Sequence, residues 1–155
     1  MQRPKISLCM IVKNEAEDLP RCLESVREVA DEIIVVDTGS TDGTVDVALG
    51  FGAHVIHFPW QNDFAQARNA GLEAASGDWI LFLDADEALD AGDRGKLLEC
   101  AWHTRYDGFF FRVFNYVGDG HRGTSINPVL RMFRNAKAHR FEGRIHEQIA
   151  ASICR

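Results

Sequence analysis

Apolar and polar positions follow two rhythms along this chain. Residues 6–12 (Ile-Ser-Leu-Cys-Met-Ile-Val), 32–36 (Glu-Ile-Ile-Val-Val), 53–58 and 79–83 (Trp-Ile-Leu-Phe-Leu) are short, nearly unbroken apolar runs. Runs of this length with β-branched and aromatic members predict strands buried on both faces. Between them the apolar residues fall at helical spacing. Leu19, Cys22, Leu23, Val26 and Val29 or Ala30 form one such set, and Phe64, Ala67, Leu72 and Ala75 another. Asp18 as N-cap puts Pro20 in the first turn, where proline is tolerated, whereas a capping box at Asn14 and Glu17 would bury it too deep. Two glycines among hydroxyl residues at 38–44 make a tight turn into a short helix that Thr41 or Asp42 can cap. That helix runs through Leu49, and Gly50 and Gly52 stop it. Asp63 caps the helix that ends at Gly77. The first 86 residues therefore read strand–helix–strand–helix–strand–helix–strand, the pattern of an α/β parallel sheet with helices on both faces.

Past Glu87 the rhythm changes. One helix is expected within residues 89–102, around 96–101. Residues 108–117 are aromatic and strand-like, and 129–134 and 144–149 are shorter strand candidates. Successive strands without crossover helices predict antiparallel additions to the sheet. Residues 118–127 read as a polar loop able to move over a ligand. The expected organisation is one domain over residues 1–155. Residues 1–90 form a ligand-binding half and 91–155 a second half, whose end at Arg155 without a closing helix suits a piece of a longer protein.

Composition alters this picture little. A chain of 155 residues with 46% hydrophobic and 26% charged content suits one soluble domain with a real core. The net charge of −6 argues against a nucleic-acid partner held by phosphate electrostatics. Arg122, Arg131, Arg134, Lys137, Arg140 and Arg144 gather late in the chain, as a solvated face or as a surface toward an anionic ligand or membrane. The four cysteines show no C-x-x-C pair and no zinc spacing. Cys9 and Cys22 are expected to be buried thiols, and the compartment reducing. The apolar run at 6–12 is too short for a signal-peptide core, and none reaches membrane-spanning length.

The chemistry concentrates at strand ends. The fourth strand runs straight into Asp84-Ala85-Asp86-Glu87. Ligands of open α/β sheets bind at that edge. On an extended chain Asp84 and Asp86 would point the same way, and two carboxylates so close call for a cation, an oxygen-liganded one that also holds phosphates. Their alternative is a strand end with a helix cap. Asp37 ends the second strand and can accept hydrogen bonds from a base or ribose, or close an Asx turn with Thr38 and Gly39. Arg68, one turn into its helix, can reach a diphosphate or make a surface ion pair. His146 and Glu147 are adjacent on the last strand candidate, so only one would enter the site. His146 could complete a metal's ligands and Glu147 could act as a general base, or both could be structural.

Four blocks resemble family 2 glycosyltransferases: Ile6-Ser-Leu-Cys-Met-Ile-Val-Lys-Asn-Glu15, Ile33-Ile-Val-Val-Asp-Thr-Gly-Ser-Thr-Asp-Gly-Thr44, Asp63-Phe-Ala-Gln-Ala-Arg-Asn-Ala-Gly71 and Gly77-Asp-Trp-Ile-Leu-Phe-Leu-Asp-Ala-Asp-Glu87. They occur in the family's order and cover about residues 5–90. Arg131-Met-Phe-Arg134 and Gly143-Arg-Ile-His-Glu147 resemble a subgroup with lipopolysaccharide-core glucosyltransferases, a peptide S-glycosyltransferase and tetratricopeptide-repeat glycosyltransferases. The resemblance implies a GT-A fold, a UDP-sugar donor, a divalent metal (Mn2+ or Mg2+) and inversion at the anomeric carbon. It implies nucleoside contacts from Asn14, Glu15 and Asp37, base or diphosphate contact from Arg68, ribose and metal near Asp84, and the metal on Asp86. The acceptor would be a glycan, glycolipid or protein, and the site of action cytoplasmic, at the inner face of a membrane if the protein is peripheral.

Two departures shape the expectation. No Glu-Asp pair follows Asp86, so the family's usual base is missing; Glu147 is the candidate and Glu87 the weaker one. The processive Gln-x-x-Arg-Trp signature is also absent, which favours transfer of a single sugar. A haloacid-dehalogenase-type phosphatase would need Thr or Val where Ala88 stands, and a nucleotidyltransferase a basic glycine-rich loop where Lys13-Asn14-Glu15 stands. The competing expectation of a different class is a nucleotide-sugar-binding module without catalysis.

Overall fold

The computed structural model describes residues 2–116 and 123–154. Among the described residues six strands form one sheet in the order β3-β2-β1-β4-β6-β5. They are β1 (Ile6–Val12), β2 (Glu32–Asp37), β3 (His54–His57), β4 (Trp79–Phe82), β5 (Gly108–Tyr116) and β6 (Thr124–Arg134). β1 pairs in parallel with both β2 and β4, and β2 with β3. β6 runs antiparallel between β4 and β5. The result is a mixed α/β sheet, parallel in its first half with antiparallel additions after it.

Strand alternation divides the core into two layers. Ile6, Leu8, Met10 and Val12 of β1, Val35 of β2, Trp79 and Leu81 of β4 and Met132 of β6 pack on one face. That face is covered by α1 (Leu19–Ser25), α2 (Thr44–Gly50) and α4 (Arg94–His103). Cys9, Ile34, Ile80, Phe82 and Phe133 point the other way, against Ala65 and Leu72 of α3 (Phe64–Ala74), Phe141 and Ile149. The short α5 (Ala150–Ile153) brings Ile153 onto that layer. Burial on both faces is why β1 and β4 read as continuous apolar runs.

The helix starts follow the expected logic with one change. Asp18 stands at the α1 N-cap with proline in the first turn. Asp63 caps α3 by accepting from the Gln66 N–H. At α2 the N-cap position is Gly43, while Asp42 Oδ1 takes the Thr44 N–H at 3.0 Å. α1 stops at Ser25, yet Val26 and Val29 remain fully buried in the turns that follow.

Three expectations are corrected. β6 begins at Thr124 rather than 129, so residues 124–127 of the expected loop are strand, paired with β5 from Asn127↔Val113 to Thr124↔Tyr116. Residues 117–122 of that expected strand end and loop lie outside the described residues. The segment 144–149 is no strand. Glu142 and Gln148 exchange backbone hydrogen bonds of 2.9 Å across a tight loop, turned by positive φ at Gly143 and His146. Finally, β4 ends at Phe82, and residues 84–87 form a turn closed by the Glu87 N–H on the Asp84 carbonyl at 3.0 Å. Strand alternation therefore does not govern where Asp84 and Asp86 point.

Candidate active site

The parallel register sets the ends of β1, β2 and β4 along one edge: Val12 lies opposite Asp37, and Cys9 opposite Phe82. The chain leaves β1 through Asn14, whose φ of 55 is left-handed. Asn14 Oδ1 accepts the Thr41 N–H at 2.7 Å, and its own N–H donates to Ser40 Oγ. The Glu15 N–H donates to Thr44 Oγ1 at 2.8 Å. Asn14 thus stitches the β1 exit to the turn after β2. Asp37 is buried and accepts the N–H groups of Gly39 and Ser40, so its Asx turn is formed. Oδ2 also lies 3.7 Å from the exposed His57 ring. A carboxylate has about four acceptor positions, so the turn does not use all of them.

The turn after β4 is the best-anchored part of this edge. Arg21 of α1 donates to the Asp86 carbonyl at 2.6 Å, and the Cys22 thiol approaches the Asp84 carbonyl. Arg68 Nη2 donates to Asp84 Oδ1 at 3.1 Å and its Nε to Glu147 Oε1 at 2.5 Å. Arg131 Nη2 donates to Asp84 Oδ2 at 3.2 Å and to Glu87 Oε1. Glu87 Oε2 in turn accepts the Asp84 N–H at 3.0 Å. The five side chains form one alternating line, Glu147–Arg68–Asp84–Arg131–Glu87. Both guanidiniums lie near the Phe82 ring, Arg68 at 3.8 Å and Arg131 at 4.7 Å from its centroid. Arg68 Nη1 and Arg131 Nε are buried with no hydrogen-bond partner among the described residues. The ring's negative face compensates in part.

Asp86 differs from Asp84. Its side chain is exposed, with no hydrogen bond or ion pair among the described residues. Its charge is felt by Glu15, whose carboxyl is pushed above its ordinary value by burial, then by Asp86, Asp18, Asp42 and Asp84. Glu87 is also raised, by burial first, against the pull of Arg131. So the edge holds more carboxylates than cations. That surplus fits a hard, oxygen-liganded divalent cation, which takes one or two carboxylates and completes its shell with phosphate oxygens and water. Asp86, exposed and unpaired among the described residues, is the residue that would hold it, with Asp84 beside it. Among the described residues no group of three His, Cys, Asp or Glu side chains is arranged as a complete protein metal site.

The structure brings Arg68, Asp84 and Glu147 together, and sets Asn14, Glu15 and Asp37 beside one another along the same edge. It does not bring His146 into this group: that residue is exposed at the tip of the turn, while Glu147 points inward. The sequence reading missed Arg131, which it counted among late basic residues facing solvent or an anionic surface; the side chain is buried. The signal was available. Arg131 stands between Leu130 and Met132 inside an apolar strand, and a buried arginine requires a carboxylate partner.

The family model described as Glycosyl transferase family 2 matches residues 7–154. This chain belongs to glycosyl transferase family 2. It is 42% identical over 154 residues to a TPR repeat-containing protein of Synechococcus elongatus, covering 96% of this chain and 36% of that protein. It is 35% identical over 147 residues to the SPbeta prophage-derived glycosyltransferase SunS of Bacillus subtilis, covering 94% of this chain and 35% of that protein. The chain thus spans about a third of the length of these relatives. Among solved structures, residues 1–349 of Staphylococcus aureus TarS superimpose with a TM-score of 0.54 at 24% identity, covering 63% of this chain and 31% of that 1–349 chain. The fold of the family 2 domain is accordingly GT-A. Among the described residues no helix is long and apolar enough to cross a membrane.

Proposed function

We propose that this family 2 domain transfers a single sugar, with inversion, from a UDP-sugar to a hydroxyl of a glycan, glycolipid or protein acceptor. The observation that carries the reading is the charge arrangement at the sheet edge. Asp84 is clamped between Arg68 and Arg131, Asp86 is left free at the turn, and Glu15 feels the acidic surplus. On this reading Asn14, Glu15 and Asp37 face the nucleoside, and Arg68 reaches the base or diphosphate. Asp84 lies by the ribose, and Asp86 takes Mn2+ or Mg2+. Bound there, the cation supplies positive charge to the diphosphate as it departs.

Glu147 is the proposed base. Its carboxylate takes the proton of the acceptor hydroxyl as that oxygen forms a bond to the anomeric carbon, and the bond from that carbon to the diphosphate oxygen breaks with its electron pair on the nucleoside diphosphate. The cytoplasm is the compartment where such donors and reduced cysteines fit, with the acceptor presented at the inner face of a membrane or free in solution.

Calorimetric titration of UDP, first with Mn2+ and then with EDTA, tests the donor site. Binding that disappears with EDTA is expected, and Asp86→Ala is expected to weaken the Mn2+-dependent affinity at least tenfold while the unfolding midpoint holds. Unchanged affinity would remove the metal assignment from Asp86. A second reading has its own support: Glu147 is already bonded to Arg68 Nε, as suits a scaffold residue in a binding module without catalysis. Donor hydrolysis separates the two, since a binding module takes up UDP and metal yet releases no sugar. Glu147→Gln is expected to keep UDP affinity within about threefold and to lose turnover by two orders of magnitude or more. Retained turnover would exclude Glu147 as the base.

A further inference from the structure

In the line Glu147–Arg68–Asp84–Arg131–Glu87 only one half involves residues to which the proposed transfer gives a role of their own. Glu147 and Arg68 face base and diphosphate chemistry. Arg131 and Glu87 come from β6 and from the turn itself, are largely buried, and meet each other and Asp84. Glu87 also holds the Asp84 backbone N–H, so it grips both ends of the residue whose carboxylate Arg131 orients. We propose that Arg131, seated by Glu87, is a positioning residue that presets the Asp84 carboxylate for the nucleotide donor; this rests on the donor-site reading above.

The geometry makes the role specific. Asp84 is the most exposed member of the line, its side chain 42% accessible against 7% for Arg131 and 18% for Glu87. A half-exposed carboxylate on a turn would sample several rotamers in water. Two guanidiniums on opposite oxygens fix it to one. Ordering this group before the donor arrives removes an entropy cost from binding, the general source of affinity through preorganisation. On this reading Glu87 serves as Arg131's counter-charge: one oxygen faces a guanidinium and the other a backbone N–H.

The two arginines act through different atoms, which yields a discriminating test. Arg68 uses two nitrogens, Nε for Glu147 and Nη2 for Asp84. Arg131 makes both its carboxylate contacts through Nη2. A lysine ammonium carries its three N–H donors on one nitrogen, so it can stand in for contacts made through one nitrogen of Arg131 and not for the two-nitrogen fork of Arg68.

The experiment is UDP titration with Mn2+ of the wild-type chain, Arg131→Met, Arg131→Lys, Glu87→Gln and Arg68→Lys, with thermal unfolding of each. Arg131→Met is expected to weaken UDP at least tenfold and Glu87→Gln about threefold or more, with Arg131→Lys recovering part of the Arg131→Met loss and Arg68→Lys itself weakening UDP at least tenfold. If Arg131→Met does not fold, Arg131→Lys and Glu87→Gln carry the test against wild type. Variants that bind UDP as tightly as wild type, whatever their unfolding midpoints, would overturn the positioning role and leave the donor site standing. Arg131→Lys binding no better than Arg131→Met would overturn the assignment to charge at that one nitrogen. A wild-type chain that binds no UDP overturns the donor-site reading itself, and the positioning proposal with it.

Discussion

Cys9 and Cys22 show how far one residue's burial reaches. Each lies against the β1 or α1 core and near a carboxylate, and burial pushes both thiols up to about 12 from 9.0. The native state therefore resists forming thiolates that the unfolded chain forms readily. The stabilisation is complete below about pH 9 and is lost as pH rises toward 12. The urea midpoint is expected to fall across that range. Iodoacetamide at pH 8 is expected to label Cys154, which is exposed, and to spare Cys9 and Cys22 in the folded protein. Mass spectrometry of the labelled chain checks this; labelling of Cys9 or Cys22 at the rate of Cys154 would contradict the burial. Asp37 and Asp84 were legible in the sequence because each stands at or just past a strand end where a polar side chain has a reason to be, and Arg68 because it lies one turn into its helix. Arg131 was legible only as a charge inside an apolar strand, which signals a buried partner; that the partner is Glu87, some 44 residues away, the pattern does not say. Partners this distant leave no periodic trace along the chain.

At the level of elements, the legible part was the parallel half. Its strands are buried on both faces and its helices are amphipathic, so each carries its own period. The failures fell where local pattern is weakest. The segment 144–149 has strand-like composition, but left-handed backbone at Gly143 and His146 bends it into a loop. The turn at 84–87 could not be told from an extended strand end, although it decides that Glu87, not Asp86, faces Asp84. One close packing between elements is open to direct measurement. A Cβ at Gly77 would lie 2.6 Å from Ser7 Oγ, 2.9 Å from Ser7 N and 3.0 Å from Lys5 O. The Gly77 N–H also donates to that hydroxyl at 2.9 Å, and Ser7 Oγ donates to Glu32. Gly77→Ala is therefore expected to lower unfolding stability by about 1–3 kcal/mol through forced displacement of β1 from β4. Chemical denaturation reads this directly. Gly50→Ala, whose Cβ would meet nothing within 4 Å, serves as the control.

Across the whole molecule the two edges of the sheet differ. β3 is four residues long, whereas β5 has nine. Phe110, Phe114 and Tyr116 on β5 and Ile126 on β6 are exposed. A long, apolar outer strand invites pairing with another chain. Phe114→Lys is expected to raise the concentration at which static light scattering first appears, with the unfolding midpoint nearly unchanged. An unchanged onset would clear β5 as the adhesive edge.

The placement of β6 between β4 and β5 also bears on the order of events during synthesis. β4 is complete by residue 82, but its neighbour on that side is not finished until residue 134. At about 5–20 residues per second, the emerging chain carries an apolar strand with one open side for several seconds. β5, made earlier, cannot close that gap, because it has no register with β4 except through β6. A ribosome that stalls between these points holds a half-sheet, and this interval is when a chaperone would meet the chain.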